Sequence, residues 1–146
     1  MSGRSVRPCI DIHWRAKLPS SDDRIKGARV LLVEDSPVVS DATADMLSDL
    51  GCEVVGPAGT MAPALTLASE EQLDAAIVDI NIRGGKAFSV LSLLRQRGVP
   101  FLLTSGYADW TLPEEWQDCP RLPKPYSEGG LRDAIERLLG EKAAAS

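Results

Sequence analysis

Short continuous apolar runs alternate along the chain with segments in which apolar residues recur every three or four positions. A continuous run is typical of a strand covered on both faces, and the longer spacing is typical of a helix that packs by one face. Five runs fit the first pattern, although the last is brief. The predicted strands are 30–33, 53–55, 75–78, 101–103 and 121–122.

Capping residues and glycines define the helices between these strands. Ser36-Pro37 supplies an N-cap and a first-turn proline, and Ser127 caps the last helix. A weaker helix is predicted at 60–70. The segment 106–118 contains a glycine, a proline and two tryptophans, so a fourth helix there should be short or irregular. The predicted core-facing stripes of the first, third and last helices are Val39, Ala42, Met46 and Leu50; Ala87, Val90, Leu91 and Leu94; and Leu131, Ile135, Leu138 and Leu139.

Strand and helix therefore alternate five times, which predicts an α/β fold with a parallel sheet and helices on both faces. Because crossovers are right-handed, few topologies remain, and we expect a doubly wound sheet of order 2-1-3-4-5. A length of 146 residues suits one domain and hardly two. We expect an N-terminal arm or linker at 1–27, the domain at 28–141, and a short tail at 142–146.

Carboxylates follow two strands that are neighbours in this order. Glu34-Asp35 closes the first strand, and Asp79 closes the third. Ligands in such folds bind beyond the carboxyl ends of the strands. Two carboxylates about 4 Å apart repel by about 4 kcal/mol at an effective dielectric of 20, so a cation is needed. Mg²⁺ prefers hard oxygen ligands, and Lys124, just past the fifth strand, adds another positive charge.

Charge and chemistry of this group favour phosphoryl transfer. Three carboxylates, one Mg²⁺ and one lysine sum to zero, so a dianionic phosphoryl donor can approach without net repulsion. Asp79 is the natural nucleophile, because aspartyl phosphate is a known covalent intermediate. Each residue taken alone is also explained as a helix cap, a turn residue or a solvated surface charge. Their joint placement at strand ends carries the inference.

Composition narrows the class of partner and compartment. The net charge is −5, and residues 30–146 carry nine Lys/Arg against eighteen Asp/Glu, which argues against nucleic acid as a partner. No apolar run is long enough to span a bilayer, and no signal-peptide pattern opens the chain, so we expect a cytoplasmic protein without membrane contact. The three cysteines are widely spaced, which predicts buried free thiols instead of disulfides or a zinc site.

Three motifs in order resemble the signatures of response-regulator receiver domains, the phosphorylation switches of two-component signalling. They are Leu32-Val33-Glu34-Asp35-Ser36-Pro37, Ile77-Val78-Asp79-Ile80-Asn81 and Lys124-Pro125-Tyr126. The resemblance covers roughly 28–141 and implies the flavodoxin-like receiver fold. It implies that Asp79 accepts the phosphoryl group and Lys124 contacts it. It also implies a cis Lys124–Pro125 bond, and Mg²⁺ held by Asp35, Asp79, the backbone carbonyl of Asn81 and, through water, Glu34.

The family also uses a hydroxyl residue after the fourth strand. We choose Ser105, because it lies five residues after Pro100, the register typical of receivers that begin this strand with proline. It also precedes Gly106, and a small residue there leaves room for the phosphoryl group. Thr104 is the alternative, expected to point away from the crevice by strand alternation. The sequence departs from the family pattern at the aromatic that many receivers carry three residues before the lysine. That position is Arg121 here, so the usual coupling between hydroxyl and aromatic is in doubt.

The resemblance implies a single-domain response regulator that takes a phosphoryl group from a histidine kinase or histidine phosphotransfer protein. It would promote only its own phosphotransfer and dephosphorylation, and would not act as an enzyme on other substrates. Output would be contact with a downstream protein or a second copy, through the segment 107–118 with the last strand and helix. The aromatic anchors there are Tyr107, Trp110 and Trp116, for which core packing is an equal alternative.

Two other functions stay open. One is a receiver-like module that binds a partner without phosphorylation, although no site residue is lost. The other is a phosphatase with an aspartate nucleophile. That reaction needs a second acid two residues after the nucleophile, where this chain has Asn81, and no cap-sized insertion is present.

Overall fold

The computed structural model of the chain describes residues 24–83, 85–105 and 112–145, with side chains as far as residue 140. The predicted arm up to residue 23, Cys9, Tyr107 and Trp110 lie outside the described residues. No helix among the residues described is both long and apolar enough to cross a bilayer.

Seven strands and four helices follow one another in the described parts of the chain. The strands are β1 (Arg29–Val33), β2 (Glu53–Ala58), β3 (Ala75–Asp79), β4 (Asn81–Ile82), β5 (Gly85–Lys86), β6 (Phe101–Ser105) and β7 (Arg121–Pro123). The helices are α1 (Pro37–Asp49), α2 (Met61–Glu70), α3 (Phe88–Gln96) and α4 (Glu128–Ala145). The main sheet is parallel with order β2-β1-β3-β6-β7, which confirms the predicted 2-1-3-4-5 order. The pair β4–β5 is a small antiparallel hairpin that begins two residues after Asp79.

Alternation along the central strands produces two apolar clusters, one on each face of the sheet. Leu31, Val33, Ala76 and Val78 pack with α2 and α3. Val30, Leu32, Ala75 and Ile77 pack with α1 and α4. All five residues of β3 are buried, as expected of a central parallel strand. The sheet thereby fixes the carboxyl ends of β1, β3 and β6 beside one another.

The buried face of α1 differs from the predicted stripe. Ser36 caps the helix by accepting from the Val39 N–H at 3.4 Å, and Pro37 opens the first turn, as predicted. The buried residues are Ser40, Thr43 and Leu47, however, whereas Ala42 of the predicted stripe is exposed. The face is rotated because Thr43 has a hydrogen-bond partner in the interior, the hydroxyl of Tyr126 at 2.6 Å. A satisfied polar residue can occupy a core-facing position at little cost.

Trp116 is a core residue, which corrects the proposal that it anchors a contact surface. It lies in a short 3-10 turn, Glu114–Trp116, which confirms that the described part of this segment forms no regular helix. Its side chain is 3% exposed and lies parallel to the Phe88 ring at 6.3 Å and against the edge of Phe101 at 6.1 Å. The Arg95 guanidinium covers it at 4.2 Å from the ring centroid. These contacts leave it no surface to offer a partner.

The structure describes regular backbone or buried residues on both sides of the predicted domain bounds, 28 and 141. Ile25 is fully buried and joins the cluster beside α1, so packing begins before residue 28. At the other end α4 continues to Ala145, so residues 142–145 of the predicted tail are helical. Cys52 is buried and Cys119 half-buried, and both are free thiols.

Candidate functional site

Three carboxylates meet at the carboxyl ends of β1 and β3. One oxygen of each of Glu34, Asp35 and Asp79 lies within 4.8 Å of the others. Glu34 and Asp79 are each 4% exposed, and Asp35 is half-buried. The convergence follows from the fold, because β1 pairs with β3 in parallel and both strands end at the same edge of the sheet. The structure therefore brings together the acidic residues that the sequence placed in one crevice.

Lys124 reaches into this group from the loop after β7. Its Nζ lies 2.6 Å from Glu34 Oε1 and 2.7 Å from Asp79 Oδ2. The backbone N–H of Lys124 donates to the Ser105 carbonyl at 3.0 Å, which ties this loop to the end of β6. The Lys124–Pro125 bond is cis, as the resemblance implied.

The two buried carboxylates are held in the same way. Glu34 accepts from the Ser36 N–H at 3.0 Å through Oε2, and Asp79 accepts from the Asn81 N–H at 3.1 Å through Oδ1. The second oxygen of each accepts from Lys124. Both oxygens of both groups are thus engaged, as buried carboxylates require. Asp35 makes no such bond with the described residues, so its oxygens remain free.

Burial and neighbouring charge shift the protonation of this group. Burial raises the pKa of Glu34, with a further contribution from Asp79, although the bonds from Lys124 and the Ser36 N–H oppose the shift. Burial works against the charge of Lys124, but its bonds to Asp79 and Glu34 outweigh this and raise the lysine pKa. With all four groups ionised, three negative charges and one positive charge leave −2. A hard divalent cation fits the donor set and charge of this crevice.

Ser105 and Thr104 both lie at the end of β6 and are 1% exposed. The prediction that Thr104 points away from the crevice is wrong, because Thr104 of β6 is paired with Asp79 of β3. Paired residues of parallel strands project to the same face, so alternation does not turn Thr104 away from the crevice. A different observation favours Ser105. Its hydroxyl is buried and has no hydrogen-bond partner among the described residues, which leaves a donor available for a ligand oxygen.

Sequence reasoning missed two residues beside this site. Tyr126 bonds to Thr43 of α1, and burial raises its pKa. Its place directly after Lys124-Pro125 was a signal, but nothing in the sequence identified Thr43 as its partner. Arg83 lines a cavity of about 190 Å³ together with Glu34 and Asp35, and its place four residues after Asp79 was the available signal. Arg121 is exposed at the position of the usual aromatic and donates to the Gln117 carbonyl at 2.7 Å.

Comparisons with known proteins agree with this geometry. The family model for the response regulator receiver domain matches residues 30–136. The solution structure of SdrG from Sphingomonas melonis Fr1 is 35% identical, with a TM-score of 0.70, covering 77% of this chain and 97% of that one. The receiver domain of the histidine kinase PA1611 from Pseudomonas aeruginosa PAO1, solved with a magnesium ion in its active-site cleft, is 26% identical with a TM-score of 0.66. That match covers 78% of this chain and 98% of the other.

Curated relatives include longer signalling proteins. The transcriptional regulatory protein PdtaR of Mycobacterium tuberculosis is 30% identical over 123 residues, a match that covers 81% of this chain and 60% of PdtaR. The chain spans 60% or less of the curated relatives that it matches. The family model, the sheet order and the acidic group with its lysine agree. The chain belongs to the response regulator receiver domain family of two-component signalling.

Proposed function

We propose that this domain accepts a phosphoryl group on Asp79 in a Mg²⁺-dependent reaction and signals by phosphorylation-dependent protein contact. The observation that carries the proposal is the group of Glu34, Asp35 and Asp79 with Lys124 at 2.6 and 2.7 Å from two of the carboxylates. Such a group combines a nucleophile, a net negative charge for a divalent cation and a fixed positive charge beside the nucleophile.

The donor is a phosphorylated histidine of a kinase or phosphotransfer protein. A carboxylate oxygen of Asp79 attacks the phosphorus, the phosphorus–nitrogen bond breaks, and the imidazole leaves with its electron pair. The product is an acyl phosphate on Asp79. Lys124 already contacts Asp79, so its ammonium can transfer its bond to an oxygen of the incoming group. The unpartnered Ser105 hydroxyl supplies a second donor to that group.

Asp35 and Asp79 would hold Mg²⁺ directly, with the Asn81 carbonyl, and Glu34 would act through water. The oxygens of Asp35 make no hydrogen bond with the described residues, which supports a direct contact from this residue. Lys124 and a backbone N–H hold Glu34 and Asp79 alike, so the division between these two is taken from the family resemblance. A bound Mg²⁺ would neutralise charge on the transferring phosphoryl group. Asp35→Asn should therefore weaken Mg²⁺ binding more than Glu34→Gln in a calorimetric titration, and an equal or reversed loss would contradict it.

Output by protein contact is favoured over nucleic-acid binding because residues 30–146 carry nine more acidic than basic residues. Lys124 directly follows β7, an edge strand of the sheet, so a change at Asp79 has a short path to an exposed edge. We propose that this edge with α4 contacts the partner, and that the domain is a switch and not an enzyme acting on separate substrates.

Labelling of the aspartate tests the proposal. The protein is incubated with acetyl phosphate and Mg²⁺, and its intact mass is measured. We expect one phosphoryl adduct in the wild type and in the control Asp45→Asn, which changes an exposed carboxylate of α1. Asp79→Asn should show none. Equal labelling of Asp79→Asn would assign the acceptor elsewhere, and no labelling of the wild type would favour a phosphorylation-independent module.

A further inference from the structure

A cavity of about 190 Å³ adjoins the acidic group on the side of β2 and α1. Its polar lining consists of Glu34, Asp35, Ser40, Thr60 and Arg83. Two of these are carboxylates of the site, and Arg83 is a cation that lines the same cavity. A sphere of this volume would be about 7 Å across, which is below the Debye length of about 8 Å at physiological ionic strength. The arginine is therefore within electrostatic range of the acidic group.

The backbone of Arg83 is fixed although its side chain is exposed. Arg83 forms an isolated bridge with Thr60, and it follows the hairpin residue Ile82, which is 6% exposed and pairs with Gly85. The side chain makes no hydrogen bond or ion pair with the described residues. By contrast, Arg29 is paired with Glu53 and Glu71. Arg83 thus has a fixed backbone position, and its positive charge is not paired with any of the described residues.

Charge counting gives this arginine a specific effect. The three carboxylates and Lys124 sum to −2, so a bound Mg²⁺ brings the site to zero, and Arg83 then adds one positive charge. Phosphorylation replaces the single charge of Asp79 by about two negative charges. The phosphorylated, metal-bound site with Arg83 is therefore neutral, whereas without Arg83 it would carry −1. The charge of Arg83 therefore disfavours Mg²⁺ binding in the resting state and stabilises the anionic phosphoryl group.

We propose that Arg83 sets the charge balance of the site, weakening Mg²⁺ binding in the resting domain and attracting the anionic phosphoryl donor. The part that concerns the donor rests on the proposed phosphorylation of Asp79, and the part that concerns Mg²⁺ does not. Charges of +2 and +1 about 8 Å apart in water change an affinity by about fivefold at low salt and about twofold at physiological salt.

The test compares Arg83→Gln with Arg137→Gln. Arg137 is another exposed arginine without an ion pair in the described structure, and it lines a separate cavity between α4 and β7. Mg²⁺ affinity is measured by calorimetry at low and physiological salt, and the rate of labelling by acetyl phosphate is measured at saturating Mg²⁺. Arg83→Gln should bind Mg²⁺ about fivefold more tightly at low salt and label several-fold more slowly. Salt should reduce both effects, and Arg83→Lys should restore wild-type values.

The outcomes separate this proposal from the one on which it partly rests. Unchanged Mg²⁺ affinity in Arg83→Gln, an unchanged labelling rate, or an equal shift in Arg137→Gln would overturn the role of Arg83. Failure of Arg83→Lys to restore the values would also overturn it, because the argument requires only a positive charge. If the wild type is not labelled at all, the proposal that Asp79 is phosphorylated is wrong. The Mg²⁺ titration alone then tests the role of Arg83.

Discussion

The hydrogen bond between Tyr126 and Thr43 joins the loop after β7 to the middle of α1. The two hydroxyl oxygens are 2.6 Å apart, and the residues are 83 positions apart in the chain. Thr43 is 1% exposed, whereas Tyr126 is half-buried. Tyr126 lies two residues after Lys124, so this bond links the lysine loop to a helix that packs on the sheet. Tyr126→Phe removes the bond while keeping the ring in place.

The expected cost follows from the burial of each partner. A hydrogen bond contributes about 1 kcal/mol net, and a buried group left without a partner costs about 1–3 kcal/mol. Tyr126→Phe leaves the Thr43 hydroxyl buried and unpaired, so we expect a loss of about 1.5–2 kcal/mol. Thr43→Val leaves the tyrosine hydroxyl, which has some access to water, so we expect about 1 kcal/mol. The double variant should cost less than the sum, because neither polar group remains to be left unpaired.

Urea unfolding of the wild type, both single variants and the double variant measures this coupling directly. We expect an interaction energy of about 1 kcal/mol between the two sites, within the range found for residues in contact. Leu65→Ala, at a half-buried position of α2 on the other face of the sheet, serves as a control and should be additive with Tyr126→Phe. Additive effects of Tyr126→Phe and Thr43→Val would show that the bond contributes nothing and would refute the reasoning.

Three further predictions follow from individual residues. Ser105→Ala should slow labelling by acetyl phosphate more than Thr104→Val does, because the Ser105 hydroxyl is buried and unpartnered among the described residues; the reverse order would assign the role to Thr104. Trp116→Leu should lower the free energy of unfolding by about 3 kcal/mol, as expected of a large buried side chain, and a loss under 1 kcal/mol would place the ring outside the core. Burial raises the pKa of Cys52 to about 11, so in a variant whose other cysteines are serine the folded protein should resist thiol reagents at pH 8. Because the raised pKa favours the protonated thiol, its contribution to stability should be lost as the pH rises from about 9 towards 11, and rapid modification of folded protein would contradict this burial.

The strands and the acidic group were predictable because their signals are local. β3 is buried on both faces, so its residues form a continuous apolar run that ends at Asp79, the last residue of the strand. Parallel pairing then brings such strand ends to one edge, and the positions of Glu34, Asp35 and Lys124 follow from counting along the chain. Cap residues were equally local, as Ser36 and its bond to Val39 show.

The contacts that sequence reasoning missed join distant parts of the chain. The stripe predicted for α1 assumed that apolar residues face the core, but Thr43 faces it because Tyr126 satisfies its hydroxyl. Core and surface positions were equally probable for Trp116, and the structure places it in the core through contacts with Phe88 on α3 and Arg95 at the end of that helix. Periodicity within one segment carries no information about such partners.

The preference for Ser105 over Thr104 was first based on strand alternation, which was applied without knowing how β6 is aligned with β3. Alternation was sound as a rule, but it needed the register between β6 and β3, and that register pairs Thr104 with Asp79 on one face. The choice depends instead on the Ser105 hydroxyl, which is buried and has no hydrogen-bond partner in the part of the chain that the structure describes. Such a group costs stability unless a ligand engages it. Together with a net charge of −2 in the same crevice, this donor supports the proposal that the site takes both a cation and an anionic group. A metal bound to the carboxylates would leave the hydroxyl donor unused, whereas an oxygen of the phosphoryl group that we propose on Asp79 would engage it beside the metal.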